Sequence, residues 1–218
     1  MRHTMYKIVE IFHSIEGEGK RAGATATFIR LAGCNLRCTY CDTAYSQEER
    51  YCEEMSLDEI MSHCLYPRIT ITGGEPLLAA GIEILVDRLL SDDFEVNIET
   101  NGSVDISPLP LGTDKLFLTM DYKLPSSGEM EAMFLPNFEK LRTYDVLKFV
   151  VGSENDVQCM LDFLQKLHIK PQIYIGTVYG KFSLKALAEI ILREPILKDA
   201  CLQLQFHKII WDANTRGV

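Results

Sequence analysis

No apolar run in this chain approaches the roughly 20 residues that cross a bilayer, and the N-terminus, Met1-Arg-His-Thr-Met-Tyr-Lys-Ile8, lacks the apolar core of a signal peptide. The expectation is a soluble, cytoplasmic protein without a membrane partner. Basic residues are also in short supply. With 22 Lys plus Arg against 31 Asp plus Glu the net charge is -9, which disfavours a nonspecific grip on nucleic-acid phosphates and leaves a small molecule as the better substrate class. Linkers, internal repeats and low-complexity segments are missing too. A length of 218 residues, 47% of them hydrophobic, is enough for one domain with a sizeable core.

The most informative absence concerns cysteine. Cys34, Cys38 and Cys41 fall within eight residues, in Ala32-Gly-Cys-Asn-Leu-Arg-Cys-Thr-Tyr-Cys-Asp-Thr43, and no fourth cysteine follows at ligand spacing. A 4Fe-4S cluster ordinarily takes four thiolates, so three leave one iron open, and an open iron suggests chemistry rather than electron storage. Zinc is the competing reading, because it also takes closely spaced thiolates. Structural zinc is four-coordinate, and Cys52, or His63 with Cys64, could complete such a site. Cys52, Cys64, Cys159 and Cys201 otherwise read as packed or idle thiols, since disulfides are rare in a reducing compartment.

Extended runs recur at residues 6–12, 25–31, 68–71, 95–99, 116–120, 146–151, 172–177 and 201–206. Helical patterns lie between them. Ser56-Leu-Asp-Glu59 is a capping box, residues 82–90 carry apolar positions at helical spacing, and 153–167 opens on a Ser cap. This alternation predicts a parallel α/β sheet. About six core strands fall short of the eight βα units of a closed barrel, so an open, partial barrel is expected. The first two runs, joined through Glu16-Gly-Glu-Gly19, suggest an N-terminal β-hairpin extension.

In parallel α/β folds ligands collect at the carboxyl ends of strands. The cysteine loop follows one predicted strand. Thr72-Gly-Gly-Glu-Pro76 follows another, its paired glycines permitting close backbone approach and Glu75 offering an acceptor; alone, it reads equally as a strand-to-helix turn. Glu99-Thr-Asn-Gly102 follows a third, suited to hydroxyls or an amino acid moiety, or simply an Asn-Gly turn. Lys123 after residues 116–120 and His207 after 201–206 complete the set, with a solvated lysine and a packing histidine as the plain alternatives.

Cys-x3-Cys-x2-Cys followed by Gly-Gly-Glu resembles the radical S-adenosylmethionine superfamily. More narrowly, Glu10-Ile-Phe-His-Ser-Ile-Glu-Gly-Glu-Gly19, Phe28-Ile-Arg-Leu-Ala-Gly-Cys34, Cys41-Asp-Thr43, Thr72 to Pro76, Glu99 to Gly102 and His207-Lys-Ile-Ile-Trp211 are similar, in order, to the motifs of the 7-carboxy-7-deazaguanine synthase family. The resemblance implies a partial (open) TIM-type barrel with few helices, a homodimer, and a single core domain over 1–218. Within it, residues 1–24 would be an extension and 207–218 a tail closing on the active site.

It also implies a reaction. 6-Carboxy-5,6,7,8-tetrahydropterin would lose hydrogen from C6 to a 5'-deoxyadenosyl radical, contract its ring and lose ammonia, giving 7-carboxy-7-deazaguanine for queuosine and other 7-deazapurines. The implied cofactors are a 4Fe-4S cluster on Cys34, Cys38 and Cys41, S-adenosylmethionine on the open iron, and Mg2+ held by Thr43, with flavodoxin or a similar reductant. The cofactor would be lined by Tyr40, Cys41, Asp42, Gly74, Glu75, Glu99, Asp121, Tyr122 and Lys123. The substrate would meet Ile15, Glu16, Gly17, Glu18, Arg30, Thr72 and His207, with the terminal carboxylate at Val218 as a further contact. Arg30 suits a carboxylate bidentately. Glu16 stands where the family more often has glutamine, which adds charge near the substrate if its side chain faces inward. A glycyl-radical activase shares the cluster loop but has no evident need of Glu16 to Gly19, Arg30 or His207. A zinc or iron-sulfur binding module without turnover is the alternative from another class.

Overall fold

The computed structural model describes residues 4–168, 171–212 and 215–218. The other positions fall in the predicted extension, in the stretch after the 153–167 pattern, and in the predicted tail. One nine-stranded sheet organises the chain: β1 (Met5–Ile15), β2 (Thr25–Leu31), β3 (Glu53–Ser56), β4 (Arg68–Gly73), β5 (Glu95–Thr100), β6 (Leu116–Asp121), β7 (Val146–Val151), β8 (Gln172–Thr177) and β9 (Cys201–Leu202). Its order is β3-β1-β2-β4-β5-β6-β7-β8-β9, and it does not close. β1 pairs antiparallel with both β2 and β3, forming the expected hairpin and adding an edge strand that periodicity does not reveal. From β2 onward every pairing is parallel.

The helices are few: α1 (Leu57–Ser62), α2 (Ile82–Ser91), α3 (Glu154–Lys166), α4 (Leu184–Arg193) and the one-turn α5 (His207–Ile210). Both arms of the Ser56/Glu59 capping box are made, with Glu59 N–H donating to Ser56 Oγ at 3.3 Å and Ser56 N–H donating to Glu59 Oε2 at 2.7 Å. Ser153 caps α3 by accepting from the Asp156 amide. α4 is absent from the sequence-based reading, because only Leu187 and Ile190 reach full burial and the rest of its face stays partly wet. Between β5 and β6 no helix crosses among the described residues, and 3-10 turns occupy the β6–β7 connection. The barrel is therefore sparsely covered.

β strands buried on both faces read as near-continuous apolar runs, as in Leu116-Phe-Leu-Thr-Met120, all buried. The run expected over 201–206 stops as a strand at Leu202. Gln203 N–H still donates to Ile175 O, but by Phe206 the amide is donating to Gly17 O, so the segment leaves the edge and turns into α5 across the hairpin loop.

Candidate active site

The strand ends bring the predicted motifs to one place. Gly74 N–H donates to Leu31 O and Glu75 N–H to Gly33 O, zipping the Gly-Gly-Glu turn against the start of the cysteine loop. A Cβ on Gly74 would sit 2.1 Å from Gly33 O and 2.8 Å from Cys34 Cβ, and one on Gly73, at φ +136°, would sit 2.0 Å from Leu31 O. Only glycine allows that approach. Asn101 reaches the same loop, donating to Asn35 Oδ1 at 3.1 Å and toward Cys34 Sγ at 3.8 Å. From the far side Thr39 N–H donates to Ser127 O and Arg37 N–H to Glu129 Oε1.

Cys34, Cys38 and Cys41 are free, partly buried thiols. Burial pushes Cys34 and Cys38 up, while the Leu36 amide opposes the shift at Cys34 and the Lys123 ammonium opposes it at Cys38. Among the described residues no three His, Cys, Asp or Glu side chains converge as a single-ion site. The zinc completions read from sequence are not assembled: Cys52 donates to Glu49 O and Cys64 to Ile60 O, and burial pushes the Cys64 thiol to about 11. Three thiols spread along an anchored loop, two of them beside an amide or an ammonium that favours the thiolate, suit a cluster, whose iron atoms are ligated separately. Thr43 Oγ1 lies 3.8 Å from Cys41 Sγ, an oxygen donor beside that loop of the kind magnesium prefers.

Behind the loops lies a buried charge network. Three protein donors hold the Glu75 carboxylate, Leu77 N–H and Thr100 Oγ1 at one oxygen and Asn101 N–H at the other. Toward the start of the cysteine loop Glu75 presents its backbone N–H, bonded to Gly33 O. Glu99 accepts from Thr72 Oγ1 at 2.8 Å. Burial, opposed by Lys148 but aided by Glu16 and Glu18, pushes Glu99 to about 7, and burial takes Glu75 to a similar value against its own donors. Asp121 Oδ2 accepts from Lys123 at 2.6 Å. Against the cost of burial, Lys123 and Lys148 hold Asp121 below its ordinary value, and Asp121 and the Cys38 thiol hold Lys123 above its own. The Tyr122 ring turns away to stack on Phe163 of α3 at 4.0 Å between centroids. There it borders a cavity of about 610 Å³ that no other candidate site residue lines. Tyr40 is half-buried, which raises its hydroxyl pKa.

The hairpin loop and the C-terminal motif meet across the sheet. Phe206 N–H donates to Gly17 O, Gln205 donates to Glu18 Oε1 at 2.7 Å, and a Cβ on Gly17 would lie 2.6 Å from His207 Nδ1. Burial lowers His207 below its ordinary value against the pull of Glu18. Lys208 donates to Asp42 at 3.2 Å, joining this motif to the cysteine loop; against the cost of burial, Lys208 with Lys148 and His207 holds Asp42 below the carboxylate norm. Ile15 ends β1 opposite Thr25. The Glu16 side chain does face inward, but Arg21 neutralises it at 2.6 Å.

Arg30 uses Nε to bind Glu10 at 2.7 Å, and Glu10 Oε1 also accepts from Tyr45. Its two terminal nitrogens make no hydrogen bond among the described residues, so the fork remains open. The C-terminal segment packs on this cluster: Arg216 lies over the Tyr45 ring at 4.0 Å, Gly217 lies beside Glu10 and Phe12, and Val218 is half-buried.

Lys148 escapes the sequence-based reading, although a lone lysine inside Val146-Leu-Lys-Phe-Val-Val151 is a legible anomaly, since lysine is almost never buried unless paired. It donates to Glu18 Oε2 at 2.7 Å and lies 3.5 Å from Asp121 Oδ1. Gln203 and Gln205, which bind Gly19 N–H and Glu18, carry no such local signal.

Comparison with known proteins agrees with this geometry. Residues 28–111 match the Radical SAM superfamily. A 7-carboxy-7-deazaguanine synthase of Clostridium acetobutylicum is 42% identical, covering 98% of this chain and 99% of its own length. Proteins of the same name from Methanospirillum hungatei and Chlorobaculum tepidum are 38% and 37% identical over 94% and 97% of this chain, and 85% and 96% of their own. In fold, the chain is similar to QueE from Escherichia coli, with a TM-score of 0.75 and 22% identity over 92% of this chain and 94% of that one. Near-complete coverage at these identities, on a cysteine loop and strand-end motifs that the open barrel gathers at one edge, shows that this chain belongs to the 7-carboxy-7-deazaguanine synthase family of radical SAM proteins.

Proposed function

We propose that the protein converts 6-carboxy-5,6,7,8-tetrahydropterin to 7-carboxy-7-deazaguanine with loss of ammonia, in the biosynthesis of queuosine and related 7-deazapurines. The observation that carries this reading is the full-length relationship to the Clostridium acetobutylicum synthase at 42% identity. The activase alternative is not favoured, because it gives no role to Arg30, to the Glu16–Gly19 loop or to His207.

Cys34, Cys38 and Cys41 would hold a 4Fe-4S cluster. With S-adenosylmethionine bound, that cluster supplies the radical that removes hydrogen from the substrate C6, while the protein orients the reacting carbon and excludes water. The backbone of Gly74 and Glu75, the segment 40–42, Glu99 and the 121–123 segment line the cofactor side. On the substrate side the open fork of Arg30 pairs with the pterin carboxylate, since two parallel N–H donors match two oxygens. Glu18 accepts from the guanidine-like edge, together with the backbone of residues 15–17. Thr72 and His207 flank the ring, and the segment ending at Val218 covers the Arg30 side. Thr43 offers one oxygen to Mg2+, which ordinarily retains water and substrate oxygens.

The whole of 1–218 acts as one core, with residues 1–24 as an extension and 207–218 as a closing tail. The working enzyme is a cytoplasmic homodimer reduced by flavodoxin or a similar donor. Anaerobic incubation of reconstituted protein with dithionite, S-adenosylmethionine, Mg2+ and the carboxytetrahydropterin tests the reaction. Formation of 7-carboxy-7-deazaguanine supports it. An intact cluster with bound S-adenosylmethionine and no product refutes the substrate assignment.

A further inference from the structure

Two carboxylates on opposite sides of the interior share one cation. Glu18 comes from the hairpin loop and Asp121 from the end of β6, and between them stands Lys148, on the neighbouring strand β7 and flanked by the buried Leu147 and Phe149. Its side chain is 15% exposed. The ammonium donates to Glu18 Oε2 at 2.7 Å, and Asp121 Oδ1 lies 3.5 Å away. The remaining charges around it are Glu99 from β5, Asp42 from the cysteine loop, His207 from α5 and Lys123 beyond Asp121. The carboxylates hold Lys148 charged against the cost of burial.

Both partners are left able to take a ligand. Glu18 is fixed at each oxygen, by Lys148 at one and Gln205 at the other. A carboxylate has about four acceptor sites, so fixing two sets its plane and leaves the others for a donor. Asp121 Oδ1 is buried and accepts no hydrogen bond, although buried polar atoms are nearly always satisfied. Its one protein partner among the described residues is the Lys148 ammonium at ion-pair distance, which leaves acceptor capacity at that oxygen for a ligand donor.

We infer that Lys148 is a positioning residue that fixes the Glu18 carboxylate for the pterin and holds Asp121 ready on the cofactor side, so that one ammonium ties the two halves of the site. The inference rests on the proposed pterin reaction. A neutral residue here would free Glu18 to rotate and leave Glu18, Glu99 and Asp121 repelling one another across the pocket. Arginine would keep the charge and a donor for each carboxylate.

The test uses anaerobically reconstituted holoenzyme, with iron content and 4Fe-4S absorbance recorded for every variant. Lys148→Met should raise the pterin KM by roughly ten- to a hundredfold with a smaller fall in kcat, as expected when one member of a buried charged pair is removed. Lys148→Arg should recover most of that loss. In a Glu18→Gln background, Lys148→Met should add less than about threefold, because residues acting through one another are non-additive. An unchanged KM in Lys148→Met, or effects that multiply in the double variant, would overturn the inference. If Lys148→Met does not load a cluster, Lys148→Arg and Lys148→Gln carry the comparison: equal KM values for the two would overturn it likewise. A wild-type enzyme that makes no product refutes the reaction, whereas product formation with indifferent Lys148 variants refutes the role of Lys148 alone.

Discussion

Arg21 Nη2 sits 2.6 Å from Glu16 Oε1, and neither side chain is more than 8% exposed. The same guanidinium donates to Thr70 Oγ1 and to the carbonyls of Ile69 and Glu95, and it lies over the Phe117 ring. Thr70 also donates to Glu16. The hairpin loop thus plugs the amino-terminal mouth of the barrel through a residue five positions beyond the one it neutralises. The charge that Glu16 brings into the interior is therefore compensated within its own loop.

The first prediction follows. Arg21→Met strands a buried carboxylate, and breaking such a pair costs about 3–5 kcal/mol. Glu16→Gln in the same chain removes that charge, so the double variant should recover much of the loss. Thermal melts of the four proteins check it; a double variant no more stable than Arg21→Met would show that packing by Arg21, not charge compensation, is what matters.

The cysteines divide by role. Cys34→Ala, Cys38→Ala and Cys41→Ala should each abolish the 4Fe-4S absorbance and product formation together. Cys52→Ser, Cys159→Ser and Cys201→Ser should retain both, as should Cys64→Ala. Iron analysis after anaerobic reconstitution decides this, and a loaded, active Cys38→Ala protein would contradict the ligand assignment.

Arg30 gives a third prediction. With Nε committed to Glu10 and the terminal nitrogens open, Arg30→Ala should leave the cluster intact and raise the pterin KM by a hundredfold or so, as for a buried charged pair losing one partner. Arg30→Lys should recover little, because a point charge cannot supply two parallel donors. Steady-state kinetics separate the cases; near-full rescue by lysine would argue against bidentate recognition.

The open sheet, the cysteine loop and the Gly-Gly turn were legible because each is written locally. An apolar run marks the strand, and the next few residues mark its loop. What stayed hidden is non-local. Lys148 meets Glu18 across 130 residues and Gln205 meets it across 187, and periodicity says only that such residues face inward, not which of them touch. The partners of Glu75, Thr100 and the Asn101 amide, belong to another strand end and are equally invisible to a local reading. β3 and α4 leave only a diluted pattern in the sequence because one is short and the other half-wet. The Gly17–His207 contact, by contrast, joins two motifs that the sequence singled out without pairing them.

Glu99 provides a pH-dependent test. Its pKa is about 7 in the fold against an ordinary 4.5, with burial the largest cause. A carboxyl raised on folding contributes stability that is fully present below the ordinary value and is lost as pH rises through the folded one. The difference corresponds to about 3 kcal/mol between the extremes. Glu99→Gln removes the titration, so its melting temperature relative to wild type should rise between pH 5 and pH 8 by several degrees, at roughly 2–4 °C per kcal/mol for a chain of this size. Melts of cluster-loaded protein without S-adenosylmethionine measure it, and a pH-independent difference would mean that Glu99 stays ionised through that range.

The last prediction concerns Gly17. A methyl group there would lie 2.6 Å from His207 Nδ1 and 3.4 Å from the His207 amide nitrogen, so Gly17→Ala must push the imidazole aside. The neighbouring Gly17 O to Phe206 N–H bond anchors the backbone, which leaves the ring as the part that yields. The three atoms nearest that methyl all belong to His207, so cluster loading should be normal while the pterin KM rises by roughly tenfold, equivalent to about 1.4 kcal/mol. If the damage passes through the imidazole, Gly17→Ala added to His207→Ala should cost almost nothing further, because the group it displaces is already gone. Two independent tenfold losses would instead place the defect in the loop backbone, and the Gly17–His207 contact would then be packing rather than substrate positioning.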